Sequence, residues 1–197
     1  MATFGMQQMY RDVLDATPEG EEEVARLVEE IKGRAKVCIK QKNYPMAEVL
    51  YGKAIEVLPG DAILRSNRSM VRASMGKFEP ALEDAEEAVR LDAGYLKAYH
   101  RKGTALLGLE RFDDAVDAYD AGLARDTATT GAEWRKAIAK VEKAKQEFKK
   151  KKAAEAARAA APKPQPQVIR RELPAGEGAS GGGATAADGA LRAGRAA

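Results

Sequence analysis

The sequence predicts an all-α, right-handed solenoid: three tandem helix-turn-helix units closed by a C-terminal capping helix. Three observations carry this expectation. Ala47, Ala81 and Ala115 stand 34 residues apart, and setting them in register aligns Tyr44 with Phe78 and Phe112, Ala54 with Ala88 and Gly122, and Ile55 with Val89 and Leu123. A fixed period of this size marks stacked supersecondary units that bury a continuous core only together. Each unit also carries a turn signal just before its aromatic, in "QKNYP", "MGKFE" and "LERFD", so each reads as two helices. Finally, a repeat stack needs a cover for its last apolar face. The stretch "GAEWRKAIAKVEKAKQEFKKKKAAEAARAA" supplies one, with Trp134, Ile138, Val141 and Phe148 at helical spacing.

Taken in order, residues 1–27 form an acidic N-terminal segment. Met6, Met9, Tyr10, Val13 and Leu14 make a stripe along a short amphipathic helix, and Thr17 with Pro18 reads as the N-cap and first-turn proline of the next one. The repeats occupy 28–61, 62–95 and 96–129. Residues 130–160 are the capping helix and its basic extension, whose Lys149–Lys152 run reads as a solvated helix end favoured by the helix dipole. Over 161–197, Gly, Pro and Ala fill 21 of 37 positions with no aromatic residue. Such a stretch buries too little apolar surface to offset its ordering entropy, so a disordered tail, dispensable for folding, is expected.

Composition narrows the function. Hydrophobic residues make up 45% of the chain but aromatics only 6%, so Ala, Leu, Val and Ile must build the core. No apolar run approaches the ~20 residues of a membrane-spanning helix, and the N-terminus lacks the basic-then-apolar order of a secretory signal. Cys38 is the single cysteine. It can form no internal disulfide, falls at a packing position, and points to the cytoplasm, with the nucleus as the alternative. The net charge of +3 hides an asymmetry: residues 1–30 hold 2 basic and 8 acidic side chains, whereas 131–171 hold 13 and 4. There is no metal-ligand spacing, phosphate-cradling glycine loop or nucleophile-base-acid constellation, and only one histidine. A non-catalytic chain without cofactors is therefore expected. The basic residues lack interleaved aromatics apart from Phe148, which argues against nucleic acid as the partner.

The 34-residue period, with Ala47, Tyr51, Ala54 and Pro59 at their places, resembles the tetratricopeptide repeat. Gly103 occupies the family's small-residue column, where repeats one and two have Ala35 and Ser69. The resemblance covers about half of the chain. It implies that the first helix of each pair lines a concave groove, with Glu29, Lys32, Gly33 and Lys36, then Ile63, Ser66, Asn67 and Met70, then Lys97, His100, Arg101 and Thr104 facing it.

That set is similar to the carboxylate clamp of co-chaperone domains that hold the C-terminal "EEVD" tail of heat shock proteins 70 and 90. The resemblance implies Lys32, Lys36, Asn67, Lys97 and Arg101 as the peptide-binding residues, with Lys36 standing where the family has asparagine, and His100 at the groove rim. Chemically the set suits its ligand. A terminal aspartate carries two carboxylates, charge-assisted hydrogen bonds are about twice as strong as neutral ones, and Arg101 can bind one carboxylate bidentately while the lysines act as point charges. A client or second protein could engage the termini. The competing expectation is a scaffold, similar to Sgt co-chaperones or self-associating, that binds another protein segment without a working clamp.

Overall fold

The computed structural model describes residues 8–160. The expected tail over 161–197, and Met6 of the N-terminal stripe, lie outside the described residues. A single turn, α1 (Arg11–Leu14), precedes three antiparallel helix pairs: α2 (Glu21–Lys40) with α3 (Tyr44–Val57), α4 (Ala62–Ser74) with α5 (Phe78–Leu91), and α6 (Leu96–Gly108) with α7 (Phe112–Arg125). The capping helix α8 (Ala132–Ala160) packs on α7. Successive pairs stack directly, and α4 also packs on α6, so the first helices of the second and third pairs are neighbours.

The breaks inside the pairs follow the period to the residue. Each first helix ends in a backbone bond six residues long: Asn43 N to Cys38 O at 2.8 Å, Lys77 N to Arg72 O at 3.0 Å and Arg111 N to Leu106 O at 3.0 Å. The residue before each of these donors adopts a left-handed conformation: Lys42 (φ 58°), Gly76 (φ 75°) and Glu110 (φ 61°). This is the Schellman closure, which satisfies carbonyls that a helix end leaves unpaired and reverses the chain. The second helix then starts on the expected aromatic.

The core is built largely from small and aliphatic residues. Ala47, Ala54, Ala81, Ala85, Ala88 and Ala115 are fully buried, and close helix approach there leaves room for Tyr51 and Tyr119. Two glycines extend this logic. A Cβ built on Gly103 would lie 2.6 Å from the Tyr119 ring, and one on Gly122 would lie 2.4 Å from the Trp134 ring. Ala54 and Ala88 share the column of Gly122; only the third repeat meets the cap, and only there does the indole demand glycine. Trp134 and Val141 of α8 are buried, and Phe148 packs at a tilt against Phe112 with ring centroids 5.5 Å apart.

A buried ionic network ties the first two pairs. Asp84, 2% exposed, accepts from Arg68 Nε at 2.8 Å, Arg68 Nη2 at 2.6 Å and Arg72 Nη1 at 2.9 Å. Arg72 Nε and Lys77 both donate to Glu48, at 2.8 and 2.7 Å. Three helices, α3, α4 and α5, thus share one set of charges.

Two sequence expectations are corrected at the front of the chain. The next helix starts at Glu21 with Gly20 (φ 94°) as its N-cap, not at Thr17–Pro18, which lie in the preceding connection. Glu21, Glu22 and Glu23 complement the positive helix end, and the Glu23 carboxylate accepts from the Glu19 amide at 2.9 Å, so the helix starts on charge rather than on a hydroxyl cap. The apolar stripe is also shorter than expected: Val13 is buried and Tyr10 and Leu14 pack on the core, but Met9 is 73% exposed. The segment is fastened instead by Arg34, which donates to both oxygens of Asp12 and to Glu30.

Candidate peptide-binding site

The five sequence-selected residues lie on three first helices: Lys32 and Lys36 on α2, Asn67 on α4, Lys97 and Arg101 on α6. Their surroundings differ. Arg101 is half-buried, and its Nε is sealed from water without a hydrogen-bond partner. Among the described residues it makes no ion pair. Burial weakens its hold on its proton, opposed by the phenols of Tyr95 and Tyr119, yet a guanidinium stays charged in proteins. A buried polar group without a partner costs about 1–3 kcal/mol. Arg101 is therefore a desolvated cation without a protein counterion among the described residues.

Lys97, exposed, lines with Arg101 a cavity of about 460 Å³ between the start of α6 and the start of α8. His100, Leu96, Trp134, Thr130 and two carboxylates complete the wall. One of these, Asp126, is fully engaged: Thr129 Oγ1, Trp134 Nε1 at 2.8 Å and the amides of Ala128 and Thr129 all donate to it. Those bonds, that from Thr129 foremost, hold its carboxyl below the usual range. It neutralises the cap loop rather than Arg101.

Tyr95 joins the other side of the site. Burial raises its phenol, while hydrogen bonding with Ser66 and the charges of Arg101 and Lys32 act in the opposite direction. One side chain thus reports that elements of all three first helices converge, Lys32 from α2, Ser66 from α4 and Arg101 from α6. Asn67, next to Ser66, is partly exposed and makes no hydrogen bond to another described residue, so its amide is available to a ligand. Ser66, expected in the groove, is instead buried beneath it, 1% exposed.

Lys32 and Lys36 stand apart from this in one respect. Lys32 is only 17% exposed and donates to Glu29 one turn earlier, with Nζ 2.5 Å from Oε1. The Glu29 carboxyl is lowered first by that bond and also by the charge of Lys36. Lys36 is exposed, and nothing links it to Tyr95 or Arg101. The structure thus brings Lys97 and Arg101 to one cavity and sets the charges of Arg101 and Lys32 on Tyr95, while Lys36 acts on Glu29.

His100 departs from the expected rim position. Its ring packs against Tyr119 and Trp134, at 5.4 and 6.1 Å between centroids, and lines the cavity wall. Burial, then the charge of Arg101, lower its pKa below the ordinary 6.5, so it is neutral at pH 7. Tyr95 went unread in the sequence because it occupies the last position of its repeat, aligned with Asp61 and Thr129, outside every packing column. The cavity wall built by Trp134 was hidden because a capping residue was read only as a cover.

This geometry defines a class: an all-helical repeat protein with a basic concave basin facing its first helices. The tetratricopeptide repeat profile matches residues 96–129. The small glutamine-rich tetratricopeptide repeat-containing protein 2 of Mycosarcoma maydis is 35% identical over 106 residues, covering 54% of this chain and 30% of its own; the chain thus spans less than a third of that relative. Among solved structures, the second TPR domain of human RPAP3 in complex with the HSP70 peptide SGPTIEEVD superposes with a TM-score of 0.53 at 27% identity, covering 57% of this chain and 92% of that one. The first TPR of Spaghetti (RPAP3), bound to the HSP90 peptide SRMEEVD, gives 0.55 at 27% identity, covering 59% and 94%. Residues 96–129 thus match a tetratricopeptide repeat, and the described residues have the fold of tetratricopeptide-repeat domains. Among the described residues, no helix is long and apolar enough to cross a membrane.

Proposed function

We propose that this protein is a non-catalytic co-chaperone adaptor whose concave groove binds the C-terminal EEVD-type peptide of heat shock protein 70, heat shock protein 90 or both. The observation that carries the reading is Arg101: a half-buried guanidinium with an unpartnered Nε and no counterion among the described residues, opening with Lys97 into one basin. Lys32, Asn67, Lys97 and Arg101 would hold the two carboxylates of a terminal aspartate, and Lys36 would contribute charge at longer range. Domains that superpose on this one are seen with such peptides. A single cysteine, buried and unpaired, is in keeping with a cytoplasmic or nuclear setting, and the segments flanking the repeats are left for a client or second protein.

The test is a calorimetric titration with SGPTIEEVD as free acid and as C-terminal amide. The free acid should bind with micromolar affinity and the amide at least tenfold more weakly; equal binding would remove the clamp. One observation favours the runner-up, a scaffold without a working clamp: Lys32 is already engaged by Glu29, so an incoming carboxylate must displace a resident one.

A further inference from the structure

The basin does not end at Arg101. A second cavity of about 440 Å³ continues along α6, sharing His100 and Glu133 with the first. Thr104 and Leu107 line it from α6, and Lys136 and Lys140 from the cap α8. Neither lysine makes an ion pair among the described residues, and the charge of Lys140 reaches the His100 ring. Glu133 is the one carboxylate lining this cavity. Two free ammonium groups thus flank a trough that opens directly from the carboxylate basin.

Dimensions say what could occupy it. From Arg101 to Thr104 and Leu107 is three to six residues of helix, roughly 5–9 Å at ~1.5 Å per residue. An extended peptide advances ~3.3 Å per residue, so in a peptide running along α6 from Arg101 the second or third residue before the chain end would reach Thr104 and Leu107, which share their cavity with Lys136 and Lys140. We infer that Lys136 and Lys140 form a second anion subsite, on the capping helix, that takes an acidic side chain two or three residues before the peptide's terminal carboxylate. This rests on the C-terminal peptide reading above. It gives the α8 lysines a role in partner choice: a chain end preceded by glutamates is preferred over one that merely ends in aspartate.

The test is a cycle on the full chain. SGPTIEEVD and its analogue SGPTIQQVD, both as free acids, are titrated into the wild type and into a Lys136→Ala/Lys140→Ala variant. Both lysines are exposed, and a helical circular dichroism spectrum verifies the variant's fold. The wild type should prefer the glutamate peptide by about tenfold, and the variant by about twofold or less, as partly screened charge pairs allow. The amidated peptide must remain the weaker ligand of the variant, which separates this subsite from the clamp. An unchanged preference in the variant overturns the subsite while leaving the clamp standing. A failure of SGPTIEEVD to bind the wild type overturns both.

Discussion

At the scale of single residues, the groove holds a competition between its own charges. Glu29, 70% exposed, occupies Lys32, and exposed ion pairs are weak because solvent screens them, so a ligand carboxylate can displace it. Glu29→Ala should release Lys32 and tighten binding of an EEVD peptide about two- to fivefold; calorimetry showing weaker binding would mean that Glu29 instead orients the lysine. Arg101→Ala should weaken binding by ~2 kcal/mol or more, because it leaves a desolvated carboxylate without its fork. Lys36→Asn, restoring the family's amide, should be nearly neutral because the charge of Lys36 acts on Glu29 and not on Tyr95, and a gain above tenfold would place Lys36 in the clamp as an obstruction. Backbone strain gives another residue-scale test. Gly76 holds a left-handed turn that Lys42 and Glu110 occupy with side chains, a conformation costing L-residues roughly 1–2 kcal/mol. Gly76→Ala should therefore lower stability by about 1 kcal/mol in urea unfolding, and Glu110→Gly should leave it unchanged or slightly raised.

At the scale of elements, α4 and α8 are held by unlike means. The second pair is fixed by Asp84, on which Arg68 and Arg72 converge. Removing one partner of a buried ionic set strands the others, so Asp84→Ala should cost ~3–5 kcal/mol, seen as a large fall in the urea midpoint. A loss below 1 kcal/mol would mean that water replaces the carboxylate. The cap is fixed by shape. Gly122→Ala would drive a methyl group into the Trp134 ring and should cost ~1–3 kcal/mol as overpacking. These contrasts show what the sequence could disclose. Helix pairs, turns and small-residue columns were legible because each repeats every 34 residues, and the same backbone bonds recur at that spacing. Thr17–Pro18 misled because a local cap signal carries less weight than three glutamates at a helix start. The Asp84 network was illegible because it occurs once, and no period reveals a single event. Of the site, the charged positions on first helices were legible, whereas Tyr95, the burial of Ser66, the inward placement of His100 and the wall made by the cap depend on how helices meet.

At the scale of the whole molecule, one titration should be visible in global stability. The chain has a single histidine, His100, enclosed by Arg101 on its own helix, Tyr119 of α7, and Trp134, Glu133 and Lys140 of α8. Burial and the neighbouring cations Arg101 and Lys140 outweigh Glu133 and lower its pKa in the folded state below 6.5. The unfolded chain then binds the proton more readily than the folded one, so stability is full above pH ~6.5 and declines as pH falls through that value toward the folded pKa. The carboxyls of Asp12, Glu48 and Asp126 are also lowered in the folded state, but they lose their contributions only below about pH 4.5. The two windows are separate. Urea midpoints should therefore fall between pH 7.5 and 5.5 for the wild type and stay level for His100→Gln, while both proteins weaken together below pH 4.5. A saturating EEVD peptide should flatten the first decline in the wild type, because an anion on Arg101 offsets the cation that disfavours His100 protonation. If the midpoint of the wild type is level from pH 7.5 to 5.5 without ligand, His100 is solvated rather than packed between α6, α7 and the cap, and the wall it shares between the two cavities is open.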